Sequence, residues 1–348
     1  MATLFTKQPL ALQTAFAELK RQALEQPVLL IGSPGSVVVR TNAGRRFFYR
    51  DYYDPTGKKA GDYIGPEQDP AAEARAAAVR EQIILANALV EDAALLVQNG
   101  YVRVEPRTGA ILAALANNGL FRAGALLVGS HAYGALLNDL GARAAATGTE
   151  DVDVARGRRL SLSEDAKSFE EMLRDSRVPL HPVPQLDRKM PSTSFKPPGR
   201  DRLRVDLLMP TDGGGIKTLS APELEAHATA LPWLRYITDE PLPGIVIGRS
   251  AMVPVNLPRP ERLAWHKMLV SQIRHETSEK APKDVEQAAT LVAILAEAAP
   301  ESLEAAFTAV PRGAREKTKQ GARRVLDRLK TTKHEQAGEL LRSVALSR

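Results

Sequence analysis

A chain of 348 residues, 44% of them hydrophobic, holds enough apolar material for two compact domains or for one enlarged by insertions. The absence of cysteine excludes disulfides, thiolate zinc sites and cysteine nucleophiles, and no apolar run reaches the roughly 18 residues of a membrane span. The formal charge of +6 is modest; it gathers near the C-terminus, where Arg312, Arg315, Lys317, Lys319, Arg323, Arg324, Arg328, Lys330 and Lys333 meet few acids, as either a phosphate-binding face or a solvated helix surface.

The N-terminus has no clean apolar stretch followed by a small-residue cleavage site, which predicts a cytoplasmic protein with no membrane partner. Residues 8–26 instead carry Leu10, Leu12, Phe16, Leu19 and Leu24 near helical spacing. Residues 27–65 switch to strand character in VLLIG, SVVVR and RRFFYRDYYD, with turn chemistry in PTGKKAGDYIGPE, and predict a small antiparallel sheet. The aromatic-basic cluster of Arg45, Arg46, Phe47, Phe48, Tyr49, Arg50, Tyr52 and Tyr53 either packs across strands or stacks nucleic-acid bases.

From Asp69 to Asn99 the pattern is a long alanine-rich helix ending at Gly100. YVRVEP reads as a short strand, and residues 108–119 as another helix. Residues 124–155 read strand, turn, helix, loop, strand: GALLVG, SHAYGALLNDLG, ARAAATGTE, DVDVA. The charge- and proline-rich stretch from Arg156 to Arg202 looks like an insertion with one helix near 163–175, starting at Ser163-Glu164-Asp165. RLRVDLLMP is a strand, PGIVIG and AMVPV form a hairpin across Arg249-Ser250, and the chain from Pro258 onward is helical, broken near Ser278–Pro282 and Pro300. The expected fold is α/β (α+β), with a helix–antiparallel-sheet region over 1–105, a mixed-sheet core over 106–256 and a helical domain over 257–348.

Two stretches point to chemistry. In DVDVA, residues two apart share one strand face, so Asp151 and Asp153 project together while Val152 and Val154 pack behind. Asp206 stands alone in the apolar run Arg204-Val205-Asp206-Leu207-Leu208, where an unpaired buried carboxylate is costly, so a metal, a cationic partner or a strand end is expected. Clustered carboxylates suit hard cations such as Mg2+ or Mn2+. Two such ions about 3.5–4 Å apart can activate an attacking oxygen and neutralise a leaving pyrophosphate. LLVGS runs from a strand into a helix start, where Gly129 lets phosphate approach the backbone and Ser130 adds a hydroxyl. His131 beside them either touches a phosphate or packs locally. A second Gly-Ser at Gly32-Ser33 has no acidic pair after it and reads as a structural turn.

LVGS, DVDVA and VDLLM, in that order, resemble the nucleotidyltransferase-fold superfamily associated with DNA polymerase β. Thr149-Glu150-Asp151-Val152-Asp153, together with ERLAWHKMLVSQIRHETSEKAPKDVEQA, more closely resembles the bacterial AbiEii-like and GSNAF-type nucleotidyltransferases. The segment YRDYYDPTGKKAGDYIGPE is similar to an N-terminal module of the GSNAF-type proteins, whereas His131-Ala132-Tyr133 departs from their Asn-Ala-Phe. The resemblance implies a nucleoside triphosphate such as ATP as substrate, with Asp151, Asp153 and Asp206 as catalytic metal ligands. It assigns the triphosphate to Gly129, Ser130, Lys267 and Lys283, with Thr149, Arg274 and Asp284 in support. An ammonium suits the β- and γ-phosphates as an adaptable point charge, although these residues also fit ordinary exposed helix faces. The AbiEii-like resemblance further implies an RNA acceptor such as a tRNA 3′ end, a toxin–antitoxin or phage-defence setting and an antitoxin protein as partner. The alternatives are a small-molecule or protein nucleotidyltransferase with an acid-lined acceptor pocket, and a catalytically inactive nucleic-acid-binding module.

Overall fold

The computed structural model describes residues 2–145, 150–187, 189–212, 214–274 and 280–346. A short strand β1 (Phe5–Lys7) leads through Pro9 into helix α1 (Leu10–Leu24). Phe16, Leu19 and Ala23 recur at i, i+3 and i+7, so one stripe of α1 is buried. Strands β2 (Ser36–Asn42), β3 (Arg45–Tyr53) and β4 (Lys59–Pro66) form an antiparallel sheet in that order. Helix α2 (Pro70–Gln98) starts where the Asp69 carboxylate accepts the Ala71 amide and Pro70 takes the first turn. Its alanines Ala72 and Ala76 pack under Phe48 of the sheet, and Leu89, Ala93 and Leu96 join Phe16 and Leu19 in one cluster.

The second part builds the central sheet. It comprises α3 (Pro106–Asn117), β5 (Leu126–Val128), α4 (Gly129–Asp139), β6 (Ala142–Ala144), β7 (Asp151–Ala155), α5 (Phe169–Arg174), β8 (His181–Pro182), β9 (Ser194–Lys196) and β10 (Arg204–Thr211). Strands β11 (Lys217–Ala221) and β12 (Ala226–Pro232) complete it, in the order β11-β12-β10-β7-β5. β10 runs parallel to both β7 and β12, whereas β5 is antiparallel to β7 and β9 to β10. A short helix α6 (Arg235–Thr238) precedes the hairpin β13 (Leu242–Ile247) and β14 (Met252–Leu257).

Helices α7 (Pro260–Ile273), α8 (Lys280–Ala298), α9 (Pro300–Thr308), α10 (Arg315–Leu329) and α11 (Glu335–Leu341) follow. A side chain at Gly321 would run into the Met268 carbonyl, so glycine is what lets α10 approach α7. Val152, Val154, Val205 and Leu207 on the back of the sheet share one apolar cluster with Leu263, Trp265 and Leu269 of α7. Among the described residues, no helix is long and apolar enough to cross a membrane. The protein therefore has the mixed α+β architecture expected from the pattern.

Several expected elements differ. VLLIG is not a strand: Asn117 pairs with both the amide and the carbonyl of Leu29, and the Arg50 guanidinium takes the carbonyls of Ile31, Ser33 and Pro34. YVRVEP keeps only a bridge from Arg103 to Ile247, because the Asn138 amide satisfies the amide and carbonyl of Val102. In both places a side-chain amide replaces the neighbouring strand, which satisfies the buried backbone equally well.

The loop expected over ARAAATGTE contains β6, which pairs with β1. Between 156 and 202, helix α5 begins at Ser168, in a capping box with Glu171, instead of at Ser163. This stretch also adds β9 to the sheet and buries Phe169, Met172 and Phe195. Pro282 lies in the first turn of α8, where its missing N–H costs little.

Candidate active site

Two parallel strands carry the carboxylates. Register pairs Asp206 of β10 with Asp153 of β7, and Arg204 with Asp151. Paired residues point to the same side of a sheet, so Asp151, Asp153 and Asp206 share one face while Val152, Val154, Val205 and Leu207 are buried on the other. On the third strand Val128 pairs with Asp153, and the chain turns at Gly129 into α4. Gly129 has φ +70, and a side chain there would collide with the Asp153 carboxylate. The Gly-Ser turn, and the helix N-terminus with its free amides, are thus set directly against the acidic face.

The acids are not equivalent. Burial, reinforced by the neighbouring charges of Asp206 and Asp151, pushes the Asp153 carboxyl up to about 6. Asp151 meets Lys280 Nζ at 2.6 Å. Asp206 accepts from Arg204 Nε at 2.7 Å and from the Ser194 hydroxyl. Among the described residues, no three His, Asp or Glu side chains converge closely enough to hold a metal ion as they stand.

The donor set nevertheless fits Mg2+ or Mn2+. It is all carboxylate oxygen, carries concentrated negative charge, and draws in two cationic side chains where metal charge would sit. Lys280 and Arg204 are 60% and 47% exposed, so both lie at the solvent edge of the site.

The facing helices supply cations. Lys267 on α7 meets Asp284 on α8 at 2.7 Å, and Arg274, just past α7, holds the other oxygen of Asp284 at 3.0 Å. Burial and the charge of Lys267 push the Lys283 ammonium down. His131, in the first turn of α4, is buried, and its Nε2 has no hydrogen bond among the described residues; burial and Lys283 push it down to about 4, so it is neutral at physiological pH. Gln287 Nε2 lies 3.5 Å from the Ser130 hydroxyl.

The three aspartates, Gly129, Ser130, Lys267, Lys283, Arg274 and Asp284 thus gather at one junction of sheet and helices. Thr149 lies outside the described residues. Sequence reading overlooked Lys280, Gln287, Arg204 and Ser194. The spacing of Lys280, Lys283, Asp284 and Gln287 at i, i+3, i+4 and i+7 marks a single helix face, and Arg204 precedes Asp206 by two on a strand. Ser194, in a proline-rich stretch, carried no local signal.

The C-terminal basic residues are partly committed. Arg328 forms a two-pronged pair with Glu286, Lys330 pairs with Asp327, and Arg315 caps the carbonyls of Thr308 and Val310. Lys317, Arg323 and Arg324 remain exposed.

A mixed sheet with carboxylates on adjacent parallel strands, beside a glycine turn heading a helix, defines the nucleotidyltransferase fold class. A family model described as Nucleotidyltransferase matches residues 106–311, more than half of the chain, and the chain belongs to that family. No curated protein and no solved structure matches it. The protein is therefore a nucleotidyltransferase with a nucleotide substrate.

Proposed function

We propose that the protein transfers a nucleoside monophosphate from a nucleoside triphosphate to a hydroxyl of an RNA acceptor. The observation that carries the chemistry is the pairing of Asp206 with Asp153 across two parallel strands, with the Asp153 carboxyl held up by burial and by the charges of Asp206 and Asp151. Two bound Mg2+ or Mn2+ ions would activate the acceptor hydroxyl and neutralise the leaving pyrophosphate. Asp151, Asp153 and Asp206 would hold the ions, and Asp206 would accept the acceptor hydroxyl proton as its oxygen attacks the α-phosphorus. The bond from that phosphorus to pyrophosphate breaks.

The amides of Gly129 and Ser130 and the Ser130 hydroxyl donate to phosphate oxygens at the head of α4. Lys283 and Lys280 contribute positive charge from the facing helix. Lys267, gripped by Asp284, adds charge from a fixed position. Neutral His131 offers its unused ring nitrogen to a substrate oxygen. Arg204 and Lys280, now paired with Asp206 and Asp151, would have to give up those pairs for an ion to bind there.

The test is incubation with each α-labelled triphosphate, Mg2+ and total cellular RNA. Label should appear in RNA with the natural protein and be absent with Asp153→Ala. Equal labelling by both proteins would remove the assignment.

A further inference from the structure

The three-stranded N-terminal sheet has two faces of opposite character. Phe48, Arg50 and Tyr52 of β3 point inward and are buried. Phe47, Tyr49 and Tyr53, one position along, point outward by the alternation of a strand. Register sets Val38 and Tyr63 on either side of Tyr49, Arg40 beside Phe47 and Lys59 beside Tyr53. Tyr63 and Tyr53 are 57% and 52% exposed. The ring of Tyr63 lies 5.9 Å from Phe47 and 5.4 Å from Tyr49, and the Arg40 guanidinium sits 4.8 Å over Tyr49. The solvated face of an antiparallel sheet ordinarily carries polar side chains. Here it carries an aromatic cluster of Phe47, Tyr49 and Tyr63 near Arg40, Arg45 and Lys59, with Asp51, paired to Arg40, standing between Tyr49 and Tyr53.

Cavities run from this face toward the start of β7. Tyr53 and Thr56, at the β3–β4 turn, line a cavity of about 420 Å3 that extends to Arg249 and Ser250 at the β13–β14 turn. Pro55, Thr56 and Pro106 also line an adjoining cavity of about 470 Å3 that reaches Glu105 and Glu150, the residue before Asp151.

We propose that the outward face of the β2–β3–β4 sheet is a stacking platform for a single-stranded RNA acceptor, whose 3′ end runs past the β3–β4 turn to Asp151. This rests on the nucleotidyl-transfer reading above. Bases of any identity stack on exposed rings, while Arg40, Arg45 and Lys59 take backbone phosphates.

The test is binding of a fluorescein-labelled single-stranded oligoadenylate to the full chain, followed by anisotropy over a salt series. Tyr63→Ala and Tyr49→Ala should each weaken binding on the order of 10-fold, as expected for loss of one stacked base. Tyr63→Phe, which keeps the ring, should restore it. Arg40→Gln should lower the salt slope by about 0.7, as expected for one phosphate contact to a single strand. Tyr63→Ala should leave triphosphate affinity unchanged.

Absence of binding by the natural protein overturns the platform, and so does equal affinity of the two alanine variants and the natural protein. If the alanine variants lose RNA but the natural protein transfers no nucleotide to any RNA, the platform stands and the transfer reading falls.

Discussion

The carboxylate face of β7 and β10 and the Lys267–Asp284–Arg274 cluster of α7 and α8 lie close enough to feel each other's charge, yet they are built on opposite terms. In the cluster every charge has a partner: buried Lys267 and Arg274 share the two oxygens of Asp284. On the sheet, three carboxylates are held together and burial with the charges of Asp206 and Asp151 drives Asp153 up to about 6, with the exposed Lys280 and Arg204 leaning in from the rim. One region pairs buried charges of opposite sign, and the other crowds charges of one sign, with its cations at the exposed rim. The contrast separates scaffold from chemistry more sharply than residue type does, since both regions are made of the same Asp, Lys and Arg.

Breaking each region should therefore give opposite signatures. The largest effect expected is on activity: Asp153→Ala should lower nucleotide transfer on the order of 10^3-fold or more, through loss of several kcal/mol of transition-state stabilisation, with a native circular-dichroism spectrum. Asp284→Asn should act on the fold. Leaving Lys267 buried beside an uncharged amide should cost about 3–5 kcal/mol in chemical denaturation, and unchanged stability would show the cluster to be dispensable.

The sheet should respond in the other direction. Because the folded Asp153 carboxyl titrates at about 6, above its ordinary 3.8, its favourable contribution to stability is complete below about pH 4 and is lost as pH rises through 6. Asp153→Asn should then stabilise the metal-free protein at pH 7 by roughly 1–2 kcal/mol, with the gain vanishing near pH 4. Mg2+ should raise the Tm of the natural protein and not of this variant, and its affinity should fall as pH drops through 6, since the ion competes with the Asp153 proton. A destabilised Asp153→Asn at pH 7 would refute the picture of a strained acidic face. The smallest effect belongs to Lys280→Ala: an exposed pair with Asp151 contributes about 0–1 kcal/mol, so stability should barely change.

Much of this was legible along the chain because the signals are local. The same-face pair Asp151 and Asp153 follows from strand alternation, and the Lys280–Lys283–Gln287 stripe was equally readable from helical spacing. The Ala-rich helix from Pro70 announced itself through Asp69 and Pro70, and the β13–β14 hairpin through two apolar runs around Arg249-Ser250. The failures share one cause: VLLIG and YVRVEP are apolar and short, and nothing nearby in sequence says that Asn117 and Asn138 will occupy their backbone groups.

Sequence by itself pointed to the class of chemistry, because strand aspartates and a glycine turn have meanings set by dihedral angles and alternation alone. Only the tertiary structure decided that Asp206 stands beside Asp153, that Arg204 and Lys280 cover the outer carboxylates, and that the aromatic-basic cluster splits into a buried row and an exposed one. Register between strands and the side on which a helix packs depend on segments up to a hundred or more residues apart, as between Asp151 and Lys280, and the free energy that selects them is the burial of a shared core, a quantity no single segment carries.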